Sequence, residues 1–279
     1  MSRIPVTKTL KLFVNGQFPR SESGRTLAIP GSNGGTVHIA RASRKDVRDA
    51  VGAARSAQPK WAAKTAYNRG QILYRLAEMI EDRAATLPTA LADAHAAADR
   101  AVHHAGWTDK VAALLSTVNP VAATYVNYSL VRPMGIIVAA PDPRDGLLGL
   151  VEACCGPLLM GDSVIVLASA DNAEAAVALG ECWALSDLPG GVVNLLTGDL
   201  TELIQACSRH DDIDGMWLSD AVGSALQQDA DAEAARVIRR VVRMGPAAQA
   251  AGPFELQRLA EVQTVWMSAY EPVGGAASY

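Results

Sequence analysis

"GIIVAAPDPRDGLLGLVEACCGPLLMGDSVIVLASAD", residues 135–171, sets the architecture of this chain. Two short apolar runs, Ile136–Ala140 and Val164–Ala168, flank a longer apolar segment punctuated by glycines. Short runs that are apolar at every position suit strands buried on both faces, and the longer segment suits a helix. The polar turn "PDPRD", Pro141–Asp145, marks the passage from the first strand to that helix.

The unit repeats. Strand-like runs begin near Ile136, Val164, Val192 and Gly215, with helical segments after them near 146–160, 172–186, 200–209 and 221–242. Alternation of this kind predicts an α/β fold, a parallel sheet with helices on both faces. Ligands of such sheets bind beyond the carboxyl ends of the strands. Here those ends are 141–145, 168–170, 197–199 and 219–221.

Upstream, "LKLFVNGQFP" predicts a hairpin around Asn15-Gly16, a pair that takes a type I′ turn. Ser43 and Asp46 form a candidate capping box for a helix expected to end before Pro59. A second helix is expected over Asn68–Leu87 on the stripe Ile72, Leu73, Leu76 and Ile80, and the Ala-rich 88–118 reads as helical. "ATYVNYSLVRPM" switches to a strand pattern. Downstream, 244–253 reads as a Gly/Pro/Ala linker, "LAEVQTVWMSAY" as an amphipathic strand, and "EPVGGAASY" as a flexible tail. A lone strand must dock on something.

Of 279 residues, 49% are hydrophobic and 19% charged, which supports a substantial core. A net charge of −4 without a Lys/Arg cluster points away from nucleic acid. No stretch reaches the ~18 uninterrupted apolar residues of a membrane span, and the first residues lack the apolar run of a secretory signal. Cys154, Cys155, Cys182 and Cys207 have no disulfide or metal-like spacing, so a cytoplasmic location is expected.

The rim offers little chemistry. Neither G-x-G-x-x-G nor G-x-x-x-x-G-K-[ST] follows a strand. Asp220 is expected to cap a helix starting near Ala221, where its charge opposes a pyrophosphate. Arg144, with Asp142 and Asp145, either clamps an anion or forms a solvated turn capping the next helix; the turn is preferred. The four cysteines read as buried structural thiols, and His95, His103 and His104 as surface residues. No nucleophile, base and orienting group come together, so no catalytic or metal-binding residue is assigned.

The order of pieces resembles the aldehyde dehydrogenase superfamily. "VRPMGIIVAAPDPRDGLLGLVEACCGPLLMGDSVIVLASAD" is similar to its dinucleotide-binding core, and "SDLPGGVVNLLTGD" to its leucine-proline-glycine-valine-valine-asparagine segment. "FVNGQF" resembles the family's first hairpin, 44–83 its early helices, and "LAEVQTVWM" its C-terminal oligomerisation strand. The resemblance covers 1–242 and 254–270 and implies a Rossmann-like fold with an oligomerisation arm of hairpin and C-terminal strand. The implied divisions are a dinucleotide-binding-type domain over 1–243, with 120–134 as arm, a linker at 244–253, and a C-terminal strand and tail over 254–279.

The departures carry the functional expectation. Arg144 falls on the family's oxyanion-stabilising asparagine, Leu167 on its ribose-binding lysine, and Ala170 on the acidic residue that can follow. "LSDAVG", with Asp220, falls on the glycine-serine turn that receives the pyrophosphate. The family's glutamate-bearing leucine-glycine-glycine strand and its second domain, with the cysteine nucleophile, have no counterpart expected here. The chain thus resembles the non-catalytic second copy of two-copy members.

The resemblance implies an inactive subunit that joins a full-length, active aldehyde dehydrogenase. Val262, Thr264, Val265 and Trp266, with Tyr125 and Tyr128 on the arm, are the expected oligomerisation residues. No cofactor is expected, with weak NAD(P) binding at a helix N-terminus left open. Two alternatives stand beside this reading: an NAD(P)-dependent aldehyde oxidoreductase using one of the four cysteines, and a small-anion or nucleotide sensor at Arg144.

Overall fold

The computed structural model describes residues 8–32, 34–122 and 124–269. Asn15 and Gly16 both take positive φ (55° and 72°), and Val14 and Gln17 exchange backbone hydrogen bonds of 2.9 and 3.0 Å across the turn. That is the expected hairpin. A separate small sheet is built from residues before and after it: β1 (Thr9–Leu10) lies parallel to β3 (Thr36–Ala40), and β2 (Thr26–Pro30) antiparallel to β3. The β2–β3 pair is not anticipated by the sequence reading.

Helix α1 (Arg44–Ala62) begins with the expected Ser43/Asp46 capping box. It does not stop before Pro59. Trp61 is fully buried and its Nε1 donates to Leu158 O at 3.1 Å, and this burial carries the helix past the proline. Helix α2 (Ala66–Arg83) buries the predicted stripe, and α3 (Leu91–Trp107) and α4 (Val111–Leu115) divide the Ala-rich segment. An arm follows, β4 (Thr117–Asn119) and β5 (Tyr125–Pro133), paired antiparallel.

The core then alternates as predicted: β6 (Ile136–Ala140), α5 (Gly146–Met160), β7 (Ser163–Ala168), α6 (Ala173–Trp183), β8 (Val193–Thr197), α7 (Leu200–Ser208), β9 (Gly215–Ser219) and α8 (Ser224–Val237). The expected last helix, 221–242, is shorter, because its end forms a fifth strand, β10 (Arg240–Met244). All five strands are parallel, in the order β10-β9-β6-β7-β8. Side-chain alternation sends Ile137, Ala139, Val164 and Val166 into one core with α2, α3, α5 and α6. Ile136, Val138, Ile165 and Leu167 enter the other, against α1 and α7. The chain enters β6 through Gly135 at φ +134°, where a Cβ would lie 2.1 Å from Asp214 Oδ2; only glycine fits.

After β10 the chain runs through a short helix, α9 (Pro253–Leu256), into β11 (Ala260–Ser268). β11 pairs antiparallel with β5 of its own chain, from Ala260↔Pro133 to Ser268↔Tyr125. The expected tail, 271–279, lies outside the described residues. Among the described residues no helix is long and apolar enough to cross a membrane.

Helix α8 ends on Ile238, in left-handed geometry (φ 55°, ψ 41°) and 95% exposed. A β-branched residue there costs about 1–2 kcal/mol, and its side chain recovers little by packing. Ile238→Gly is expected to raise stability by about 1 kcal/mol, read as a higher urea midpoint at unchanged slope.

Candidate functional site

The turn after β6 is closed on itself. Asp142 accepts from Arg144 N at 2.9 Å, and the Arg144 Nε donates to its carboxylate at 3.0 and 3.1 Å. The hydrogen bond from Arg144 holds the Asp142 carboxyl below the usual range. Arg144 otherwise projects into solvent, 84% exposed. The Arg144 guanidinium is thus paired within its own turn.

The N-terminus of α5 is likewise taken. Asp93, on α3, accepts from Leu147 N at 2.9 Å and Leu148 N at 3.2 Å, occupying with its own carboxylate the place an anion would take. The approach is close enough that a Cβ at Gly146 would meet Asp93 Oδ2 at 2.7 Å. Asp145 does not cap α5 with its side chain; it accepts instead from Ala247 N at 3.0 Å.

The other rim positions offer no better grip. Leu167 is fully buried in the core between β7 and the helices, and Ala170 begins a short turn after β7. Asp220 is exposed but does not cap α8 as expected: the helix starts three residues later, with Gly223 as N-cap and no side-chain cap bond. The reason is local, since Ala221 and Val222 first turn back, Val222 N bonding Ser219 O at 3.1 Å. At these strand ends the Leu167 side chain supplies no donor and Ala170 no acceptor, and Asp93 and Asp220 set negative charge at the rim. Among the described residues no cluster is placed to hold a metal ion.

The strongest polar assembly lies beneath. Glu152, the one charge on the apolar helix α5, is 2% exposed and pairs with Arg100 and His104 of α3. His104 Nε2 lies 3.0 Å from Glu152 Oε2, and Ala251 N donates to Oε1 at 3.1 Å. Arg100 Nη2 also donates to Ala247 O at 2.7 Å. His104 is therefore buried, not on the surface as expected; the carboxylate supplies the partner that its burial demands. His95 and His103 are exposed, as read.

The segment expected as a linker, 244–253, is held at Ala247 and Ala251. Glu152 could have been found as an unpaired charge in an apolar helix; Asp93 left no signal. All four cysteines are free and buried. Burial pushes the Cys154 and Cys207 thiols up to about 12 and raises Cys155 and Cys182. At neutral pH they are protonated, which is the wrong state for a nucleophile.

The strand expected to be missing after the last helix is present in form as β10. It carries Arg240 and Arg243 but no acidic residue, so it brings no general base.

A five-stranded parallel sheet with helices on both faces, entered from an antiparallel arm, defines a dinucleotide-binding-type α/β domain. Residues 21–246 match the aldehyde dehydrogenase family, and the chain belongs to it. It is 26% identical over 264 residues to alpha-ketoglutaric semialdehyde dehydrogenase of Bacillus subtilis (strain 168), covering 85% of this chain and 51% of that protein. It is 28% identical over 239 residues to mitochondrial 10-formyltetrahydrofolate dehydrogenase of Mus musculus, covering 77% of this chain and 26% of the other. The NAD+ complex of aldehyde dehydrogenase from Bacillus cereus has the same fold, with TM-score 0.77 and 24% identity over 85% of this chain and 50% of that one. The chain thus spans about half the length of its bacterial relatives, or less of the mouse protein.

Proposed function

We propose that this chain is a non-catalytic member of the aldehyde dehydrogenase family that assembles with a full-length, active member. One observation carries the reading. Residues 245–259 alone join the sheet to β11, yet the arm and β11 are kept, paired through nine positions. A three-stranded sheet that leaves large apolar side chains exposed is costly to keep unless something covers it. It bears exposed Val118, Tyr125, Val126, Val262, Trp266 and Met267, and β11 offers an edge to which a partner's strand can add.

The rim supports the non-catalytic half of the reading. Arg144 is spent on Asp142, the thiols are buried and protonated, and the side chains at the strand ends suit no tightly held nicotinamide cofactor. The cysteine-dependent oxidoreductase and the Arg144 sensor have less to stand on for the same reasons.

The test is size-exclusion chromatography with light scattering on the chain mixed with a full-length aldehyde dehydrogenase encoded beside it. A mixed species of defined mass is expected. Two independent peaks after co-expression and after mixing overturn the reading.

A further inference from the structure

Among the described residues the outer edge of β11 is long and regular; at its start Arg240 Nη1 donates to Ala260 O at 2.6 Å, and from Val262 onward it is open. Among the described residues β11 pairs only with β5, which lies on its other side. The register continues past the strand, Ala269 N–H donating to Thr124 O at 2.9 Å. Residues 261, 263, 265 and 267 therefore turn their amides towards β5, and 260, 262, 264, 266 and 268 turn theirs to the open side. None of the usual edge defences is present: the strand has no lysine, no proline and no bulge. Its one charge, Glu261, is paired with Arg240 at 3.1 Å.

The sequence of this edge complements itself. In an antiparallel pair, open-side amides must meet open-side amides, so only registers that oppose even-numbered residues to even-numbered ones are allowed. Of these, the one centred on Thr264 overlaps the whole strand, since Thr264 is its midpoint. It opposes Val262 to Trp266 twice, on one face, both more than half exposed in the single chain. On the other face Gln263 meets Val265 and Glu261 meets Met267. The two Glu261 side chains lie about 20 Å apart along the strands, beyond strong repulsion.

We propose that, alone, this chain pairs with a second copy through β11, symmetrically about Thr264, giving one sheet of six strands across the two arms. The inference goes beyond the subunit reading and does not depend on it. A full-length partner, where one binds, would compete for the same edge.

All four native cysteines are buried, so a single introduced cysteine is the accessible thiol. Thr264→Cys is expected to form a covalent dimer under mild oxidation or with a short bismaleimide, since paired Cα atoms on the axis lie about 5.5 Å apart. Glu261→Cys, far from its twin, is expected to stay uncrosslinked. Thr264→Pro removes an open-side N–H and the exposed Thr264 Oγ1–Ser129 Oγ contact at 3.1 Å but no amide that pairs with β5, and is expected to shift the mass by light scattering from dimer to monomer, with circular dichroism unchanged. A monomeric wild-type chain at high micromolar concentration, with no Thr264→Cys crosslink, overturns the proposal. Crosslinking of Glu261→Cys in place of Thr264→Cys overturns the register. These measurements use the chain alone, so failure here leaves the mixed-species test standing, and the reverse.

Discussion

Glu152→Ala is expected to be the most damaging single substitution in the molecule, lowering stability by about 3–5 kcal/mol at pH 7. The carboxylate it removes is shared by three donors that water does not reach: the Arg100 guanidinium, His104 Nε2 and the Ala251 amide. Losing it leaves a buried cation with one remaining partner, the Ala247 carbonyl. The His104 ring, whose Nδ1 is already unbonded and buried, loses its contact too. Urea unfolding measures the loss. A drop under about 1 kcal/mol, the range of an exposed pair, would mean that water enters the network. A double variant, Arg100→Leu with Glu152→Leu, is expected to recover much of the loss, because it removes the stranded charge with its partner.

The same network gives the chain an acid limit. Burial by itself raises the Glu152 carboxyl, but the hydrogen bond from His104 and the charges of His104 and Arg100 outweigh it and bring the net value below 4.5. A carboxyl lowered by folding contributes stability above its unfolded value, and that contribution is lost as pH falls through the folded value. The wild-type chain is therefore expected to weaken, as pH falls from 4.5 through the folded value, more steeply than Glu152→Leu/Arg100→Leu. Parallel acid limbs for the two chains would place the acid sensitivity elsewhere.

What the sequence disclosed follows from how much of each element is fixed locally. β6 is apolar throughout, β7, β8 and β9 are largely so, and all four are buried at every position, so their pattern survives without tertiary knowledge. β10 was hidden because it is an edge strand carrying two arginines, whose charges are met by Glu261 and Asp231 from other elements. β2 and β3 are short and partly exposed, and pair beyond the span of any periodic signal. At the rim, the sequence disclosed which side chains occupy the strand ends, but not their partners. Asp93 lies 54 positions from Leu147 along the chain, and only packing of α3 on α5 brings it to the helix terminus. Glu152 stood out as a charge, and its partners on α3 did not, for the same reason.

Asp162→Asn is expected to act in the opposite sense and stabilise the chain. Asp162 follows α5 at the foot of the sheet, fully buried. Its Oδ1 accepts from Gly135 N at 2.7 Å, while Oδ2 has no partner. Burial pushes its carboxyl well above the usual range; the Gly135 and Met134 amides and Arg69 only partly oppose this, and Asp214 adds to it. A raised folded value means that the neutral acid suits the fold: its contribution is full below the unfolded value near 3.8 and is lost as pH rises through the folded one. An asparagine keeps the acceptor for Gly135 and removes the ionisation. The expected gain is about 1–3 kcal/mol at pH 8, shrinking to nothing near pH 3.5. Matched urea curves at the two pH values decide it, and a gain of equal size at both would trace the effect to packing. Glu152 favours high pH and Asp162 low pH, so these opposed trends both bear on the wild-type pH optimum. Replacing Asp162 is expected to move that optimum upward while leaving the acid limb, which belongs to Glu152, in place.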